Sequence, residues 1–89
     1  MVRYMIIERM RAGHSRAVYD RFFKKGRLLP DGLFFLDSWL SADDTTIYQI
    51  METADVSLFD TWCANWDDLV DFEIIELKEK PTGELQDDH

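Results

Sequence analysis

The chain has one cysteine, Cys63, which leaves no intrachain disulfide and no multi-cysteine zinc site. Its two histidines, His14 and His89, do not make a metal site by themselves. There is no H-x-x-x-H, no glycine-rich phosphate loop and no G-x-S-x-G. Haem is poorly served too: the second predicted helix offers tryptophans in place of a histidine ligand, and His14 is a weak alternative. No cofactor or metal is therefore expected. No unbroken apolar stretch is longer than Leu33-Phe34-Phe35-Leu36, far short of the roughly 20 residues that span a bilayer. The opening residues lack the long apolar run and small-residue cleavage site of a secretory signal. A cytoplasmic protein without membrane association is the expectation. Positive charge is scarce, ten Lys/Arg against eighteen Asp/Glu for a net −8, so nucleic acid is not an expected partner.

What is there suits one small folded domain. Hydrophobic residues make up 46% and charged residues 31% of 89 positions. The four glycines and two prolines all fall between apolar segments, where they punctuate the chain. Val2 to Met10 is rich in β-branched, aromatic and long apolar residues and reads as a strand. Ser15 caps a predicted helix over 16–25 with the apolar stripe Val18, Tyr19, Phe22 and Phe23. Gly26 stops it, and Lys24, Lys25 and Arg27 suit the negative end of the helix dipole. Pro30-Asp31-Gly32 is a turn before a second strand, 33–41. Asp43-Asp44 tips a hairpin into a third strand, 46–53. Asp55 caps a second helix over 56–66, with stripe Leu58, Phe59, Trp62, Cys63 and Trp66. A fourth strand runs over 70–78. Residues 1–78 are the domain, and 79–89 read as a flexible acidic tail whose one apolar member is Leu85.

The order β-α-β-β-α-β predicts an α+β, ferredoxin-like sandwich: a four-stranded antiparallel sheet with two helices on one face. The first and third strands are then central, and both are mainly apolar on each side. With Asp43-Asp44 at the tip, the hairpin pairs Leu40 with Ile47, Trp39 with Tyr48, Ser38 with Gln49, Asp37 with Ile50, Leu36 with Met51 and Phe35 with Glu52. One face then holds Phe34, Leu36, Leu40, Ile47 and Met51. The other holds Phe35, Trp39, Tyr48 and Ile50 with Asp37 and Glu52. The helices cover one face only. The apolar patch on the other calls for a second copy, so a homodimer through the sheet face is the expected partner.

Charge divides along the chain. Residues 1–28 carry a net +6 and residues 29–89 a net −14. Two such segments attract one another, within a chain or across a dimer; the plainer alternative is a solvated surface.

Several stretches carry a resemblance. Lys25-Gly26-Arg27-Leu28-Leu29-Pro30-Asp31-Gly32-Leu33, Asp37-Ser38-Trp39, Met51-Glu52, Phe59-Asp60-Thr61-Trp62 and Trp66-Asp67-Asp68-Leu69-Val70-Asp71-Phe72-Glu73 resemble the small bacterial family called domain of unknown function 3303, over about residues 2–77. The resemblance implies a dimeric α/β barrel, in which two ferredoxin-like chains pack sheet against sheet. Fold relatives of that family include antibiotic-biosynthesis-type monooxygenases, muconolactone isomerases and haem-degrading oxygenases. The family has no established activity, so it assigns no catalytic residue.

The candidate site follows from the residues. Asp37, Trp39, Tyr48 and Glu52 share the predicted barrel-side face. A carboxylate among aromatics has its charged form disfavoured, which suits a general base, and Glu52 is the first candidate with Asp37 second. Trp39 and Tyr48 offer flat surfaces to an aromatic ligand, and Arg27 offers two parallel donors to a substrate carboxylate. The plainer alternatives are an ordinary dimer interface with paired carboxylates and, for Arg27, a surface helix end. Trp62, Trp66 and Cys63 read as core, with a pocket wall as the functional alternative. Asp67-Asp68 opposes the helix dipole and calls for a partner such as Arg27, or for a solvated turn. Two functions stay open. One is a homodimer with a small-molecule pocket, a cofactor-independent enzyme of monooxygenase or isomerase type on an aromatic substrate. The other is a non-catalytic ligand-binding or regulatory dimer.

Overall fold

The computed structural model describes residues 1–78. The expected tail, 79–89, lies outside the described residues. The elements are β1 (Val2–Met10), α1 (Ser15–Lys25), β2 (Leu33–Leu40), β3 (Thr46–Thr53), α2 (Leu58–Ala64) and β4 (Val70–Leu77). The strands form one antiparallel sheet in the order β2-β3-β1-β4, so β1 and β3 are central. This is the ferredoxin-like α+β arrangement. No helix among the described residues is long and apolar enough to cross a membrane.

Strand alternation decides which face each residue takes. Along β1, Tyr4, Ile6, Glu8 and Met10 are buried on the helix side, while Arg3 and Arg9 are exposed on the open side. Helix α2 seals the β1–β4 half. Its Phe59 ring meets Tyr4 edge-on at 5.0 Å, and Trp62 meets Phe72 at 5.2 Å. Phe59, Trp62 and Trp66 are buried with Ile6, Met51 and Val70 as one core. Asp55 does not cap this helix, which begins at Leu58. Its carboxylate accepts from the Ser57 N–H at 3.0 Å and the Ser57 hydroxyl at 2.6 Å, closing a turn ahead of the helix. Nor does Ser15 cap α1: it is the first helical residue, and His14 precedes it without a side-chain cap.

Helix α1 covers the β2–β3 half less closely. Only Val18 of its expected stripe is buried, and Phe23 is 80% exposed. A stripe at i, i+1, i+4 and i+5 is two columns about 100° apart on the helix. The Val18–Phe22 column is the more enclosed of the two, and the Tyr19–Phe23 column the more exposed.

The β2–β3 hairpin keeps the expected pairs from Leu40–Ile47 to Asp37–Ile50 and then departs from them. A β-bulge at Leu36 shifts the register, so Phe35 pairs with Met51 and Phe34 with Glu52. Phe35 therefore lies on the helix side and Phe34 on the open side, the reverse of the sequence expectation. The bulge absorbs one residue, and a one-residue slip exchanges the two faces. At the tip, Asp44 takes the left-handed conformation at φ 62° without a glycine. Asp43 supports it by accepting from the Ser41 and Thr45 hydroxyls at 2.6 and 2.7 Å, bonds that hold its carboxyl below the usual range.

The division of charge is met inside the chain. Arg3–Glu52, Arg9–Glu73, Arg11–Asp71 and Arg21–Asp68 each join the basic first third to the acidic remainder. Exposed pairs of this kind contribute about 0–1 kcal/mol each. Asp68 pairs with Arg21, not Arg27, through two bonds of 2.8 Å, and Arg21 also donates to the Asn65 carbonyl at 2.8 Å. Those bonds hold the Asp68 carboxyl at about 2, below its ordinary 3.8. A lowered pKa stabilises the fold above the ordinary value, and the gain is lost as pH falls through the lowered one. Asp68→Asn should therefore lower the melting temperature slightly at pH 7. Thermal scans at decreasing pH should show that deficit shrinking from about pH 4 downward.

Candidate functional site

Because α2 lies close on the sheet and α1 does not, a cavity of about 310 Å³ remains between α1 and the β2–β3 half. Its size is at the lower end of the range for small-molecule pockets. Val18, Tyr19, Phe22 and Phe23 form the helix wall, and Ser38, Ile47 and Gln49 lie on the sheet side. All three tryptophans, Trp39, Trp62 and Trp66, border it. Trp62 and Trp66 are thus both core and pocket wall.

The loop from α1 to β2 shapes the mouth. Gly26 leaves the helix at φ 70°, and its N–H donates to the Phe22 carbonyl at 2.7 Å. The indole N–H groups of Trp62 and Trp66 both donate to the Arg27 carbonyl, each at 3.0 Å. Asn65 donates to the next carbonyl, Leu28, at 3.2 Å. Leu28 itself sits at φ 59°, a left-handed conformation that costs a branched side chain roughly 1–2 kcal/mol. With its main chain fixed, Arg27 stacks its guanidinium 3.6 Å from the Phe35 ring centre and 5.1 Å from that of Phe22. The bulge at Leu36 makes this possible, because it turns Phe35 inward.

One charged side chain is built into the sheet beneath. Glu8 is 6% exposed and borders the cavity with Arg27. Its cross-strand neighbours are Ile47 and Phe72, both apolar. Burial pushes the Glu8 carboxyl up to about 7, against the opposing pull of a hydrogen bond from Gln49 and the charge of Arg27. Among the described residues, no cation makes an ion pair with it. Cys63 on α2 is pushed up to about 11 by burial first, then by Glu8, Asp60 and Asp67, so it is a neutral thiol at pH 7. Among the described residues no cluster of three or more His, Cys, Asp or Glu is placed to hold a metal ion.

The five residues singled out from sequence divide between the two faces. Arg27 and Trp39 border the cavity; Trp39 shares the open face with Tyr48 by register and reaches the cavity only because β2 is the edge strand. Tyr48, Asp37 and Glu52 belong to the open face by register and do not line it. Glu52 is not an unpaired carboxylate in an apolar enclosure. Arg3 stands directly opposite on β1 and donates to it at 3.4 Å. Asp37 accepts from the Ser38 N–H at 2.8 Å. The enclosed carboxylate is Glu8, which is not among the five sequence candidates. Its signal was present: it is the one charged member of the alternating set Tyr4, Ile6, Glu8, Met10.

The fold and the cavity define a ferredoxin-like α+β domain with an aromatic-lined pocket between helix and sheet. The family model described as domain of unknown function (DUF3303) matches residues 2–77, and the chain belongs to that family. No curated protein matches it.

A buried carboxyl with a raised pKa destabilises the fold when ionised. The cost is absent below the ordinary value of 4.5, grows as pH rises toward about 7, and is constant above that. A rise of that size corresponds to about 3 kcal/mol. Glu8→Gln should thus gain stability relative to wild type between pH 4 and pH 8. Urea denaturation at the two pH values measures the difference directly.

Proposed function

We propose that the chain binds a small aromatic molecule in the α1–sheet cavity and works as a cytoplasmic homodimer closed through the open sheet face. The observation that carries the binding reading is the cavity itself, walled by aromatic rings around two charged groups, Glu8 and Arg27. Pockets that bind small molecules combine this apolar lining with few oriented polar groups. The strained Leu28 beside Arg27 supports the same reading, since backbone strain gathers at ligand clamps. Arg27, held between Phe22 and Phe35, presents its cation at the mouth, and Trp39 supplies a stacking surface at the rim.

The dimer reading rests on the other face. Phe34, Trp39, Tyr48 and Ile75 are each more than a third exposed there, beside the half-buried Met5, Ile7 and Ile50. Such a patch is larger than scattered surface apolar residues need be. In this arrangement Asp37, Glu52 and Tyr48 serve assembly, and the bulge makes Phe34, not Phe35, the interface residue.

Titrating ¹⁵N-labelled protein with 2-naphthol should shift the indole N–H resonances of Trp62 and Trp66 saturably. Ser38→Phe, which fills the cavity, should abolish those shifts without unfolding the protein. Shifts that do not saturate, or that persist in Ser38→Phe, exclude this cavity as the site. Separately, light scattering at micromolar concentration should give the mass of a dimer, and Phe34→Asp should give a monomer with unchanged far-ultraviolet circular dichroism. A monomeric wild type excludes the dimer.

A further inference from the structure

We propose that Glu8 is a general base in this cavity, moving a proton within an enolisable aromatic ketone while Arg27 faces the negative oxygen that forms. The inference rests on the binding reading above and adds a reaction class to it.

Glu8 projects from the central strand β1, whose two neighbours fix its main chain along the whole strand. A base on such an element is held more precisely than one on a loop. Glu8 lines the cavity, while its cross-strand neighbours Ile47 and Phe72 and the Trp62 and Trp66 rings of the same lining keep the surroundings apolar. Gln49, on the same face of β3, lines the cavity beside it and favours the ionised carboxyl against the effect of burial.

The other titratable or charged groups that share the cavity with it or act on it electrostatically are few. Arg27 comes from the α1–β2 loop, Tyr19 from α1 and the neutral Cys63 thiol from α2. The β4 neighbour, Phe72, carries no charge. A carboxyl balanced between its two forms near neutral pH is well matched to taking a proton and returning it.

The step needs no co-reactant. The Glu8 carboxylate takes a proton from the carbon next to the carbonyl. The electron pair of that C–H bond becomes the C=C bond of an enolate, and the carbonyl π pair moves onto oxygen. That oxygen then carries the negative charge which the Arg27 guanidinium stabilises. The protonated Glu8 returns its proton to the same carbon, or to a conjugated one, which completes an isomerisation.

The probe is 2-tetralone, a bicyclic aromatic ketone with exchangeable hydrogens beside the carbonyl. Its deuteration in D₂O is followed by proton NMR, and its binding by saturation transfer in the same samples. Wild-type protein should accelerate the exchange over buffer, with a rate that rises through about pH 7. Glu8→Gln should retain binding and lose the exchange by about 100-fold or more. Glu8→Asp, which keeps the carboxylate but shortens its reach, should fall between. Equal exchange in wild type and Glu8→Gln, or bound tetralone with no exchange above buffer, overturns the proposal. If tetralone fails to bind where 2-naphthol does, the ketone class is wrong and the binding reading stands. If neither binds, both fall.

Discussion

A single carbonyl oxygen holds the site together. The Arg27 C=O accepts both indole N–H groups of α2, from Trp62 and Trp66, one helical turn apart. A buried indole N–H without a partner is costly, so two large rings enter the core only where an acceptor meets them. The α1–β2 loop provides it. The same bonds fix the main chain of Arg27, and Asn65 fixes Leu28 beside it. A loop that carries a strained residue needs this kind of attachment to persist. The guanidinium of Arg27 then has little freedom, stacked between rings contributed by α1 and β2.

From that anchor the helix layer becomes asymmetric. Helix α2 is drawn down onto β1 and β4 by its aromatic stripe. Helix α1 is tied by its C-terminal loop and by Arg21 to the α2 end of the molecule, yet buries only Val18 of its own stripe. The volume it leaves unfilled is the cavity. A chain of this length has little surface to bury, and an unfilled volume in its core forgoes packing energy. Such a volume beside a buried carboxylate is the sort of local cost that functional sites carry.

The two faces of the sheet divide the chemistry. The open side carries the ion pairs Arg3–Glu52 and Arg9–Glu73, whose partners face solvent and contribute little each. The helix side carries one buried carboxylate, Glu8, in apolar surroundings where its charged form is disfavoured. A carboxylate on the first side is stabilised by what lies opposite it. On the second, it is left ready to exchange a proton.

The sequence by itself determined the elements, their order and the choice of central strands. Those follow from local periodicity, from glycine and proline at the breaks, and from apolar character on both sides of β1 and β3. It also determined the near half of the hairpin, because Asp43-Asp44 locates the tip and pairing counts outward from there. The far half was decided by tertiary structure. Leu33-Phe34-Phe35-Leu36 is apolar throughout, so no alternation marks which residue the bulge absorbs. Only packing against Arg27 and the helices turns Phe35 inward. For the same reason the sequence drew attention to Glu52, a carboxylate in an apolar strand, though the residue across from it on β1 is an arginine. Glu8 has neighbours in sequence as polar as Arg9 and Arg11, and its burial comes from β3, β4 and two helices distant along the chain. Alternation along β1 puts Glu8 on the same side as Tyr4, Ile6 and Met10, but desolvation is a sum over everything within reach in space, and that sum only the tertiary structure supplies.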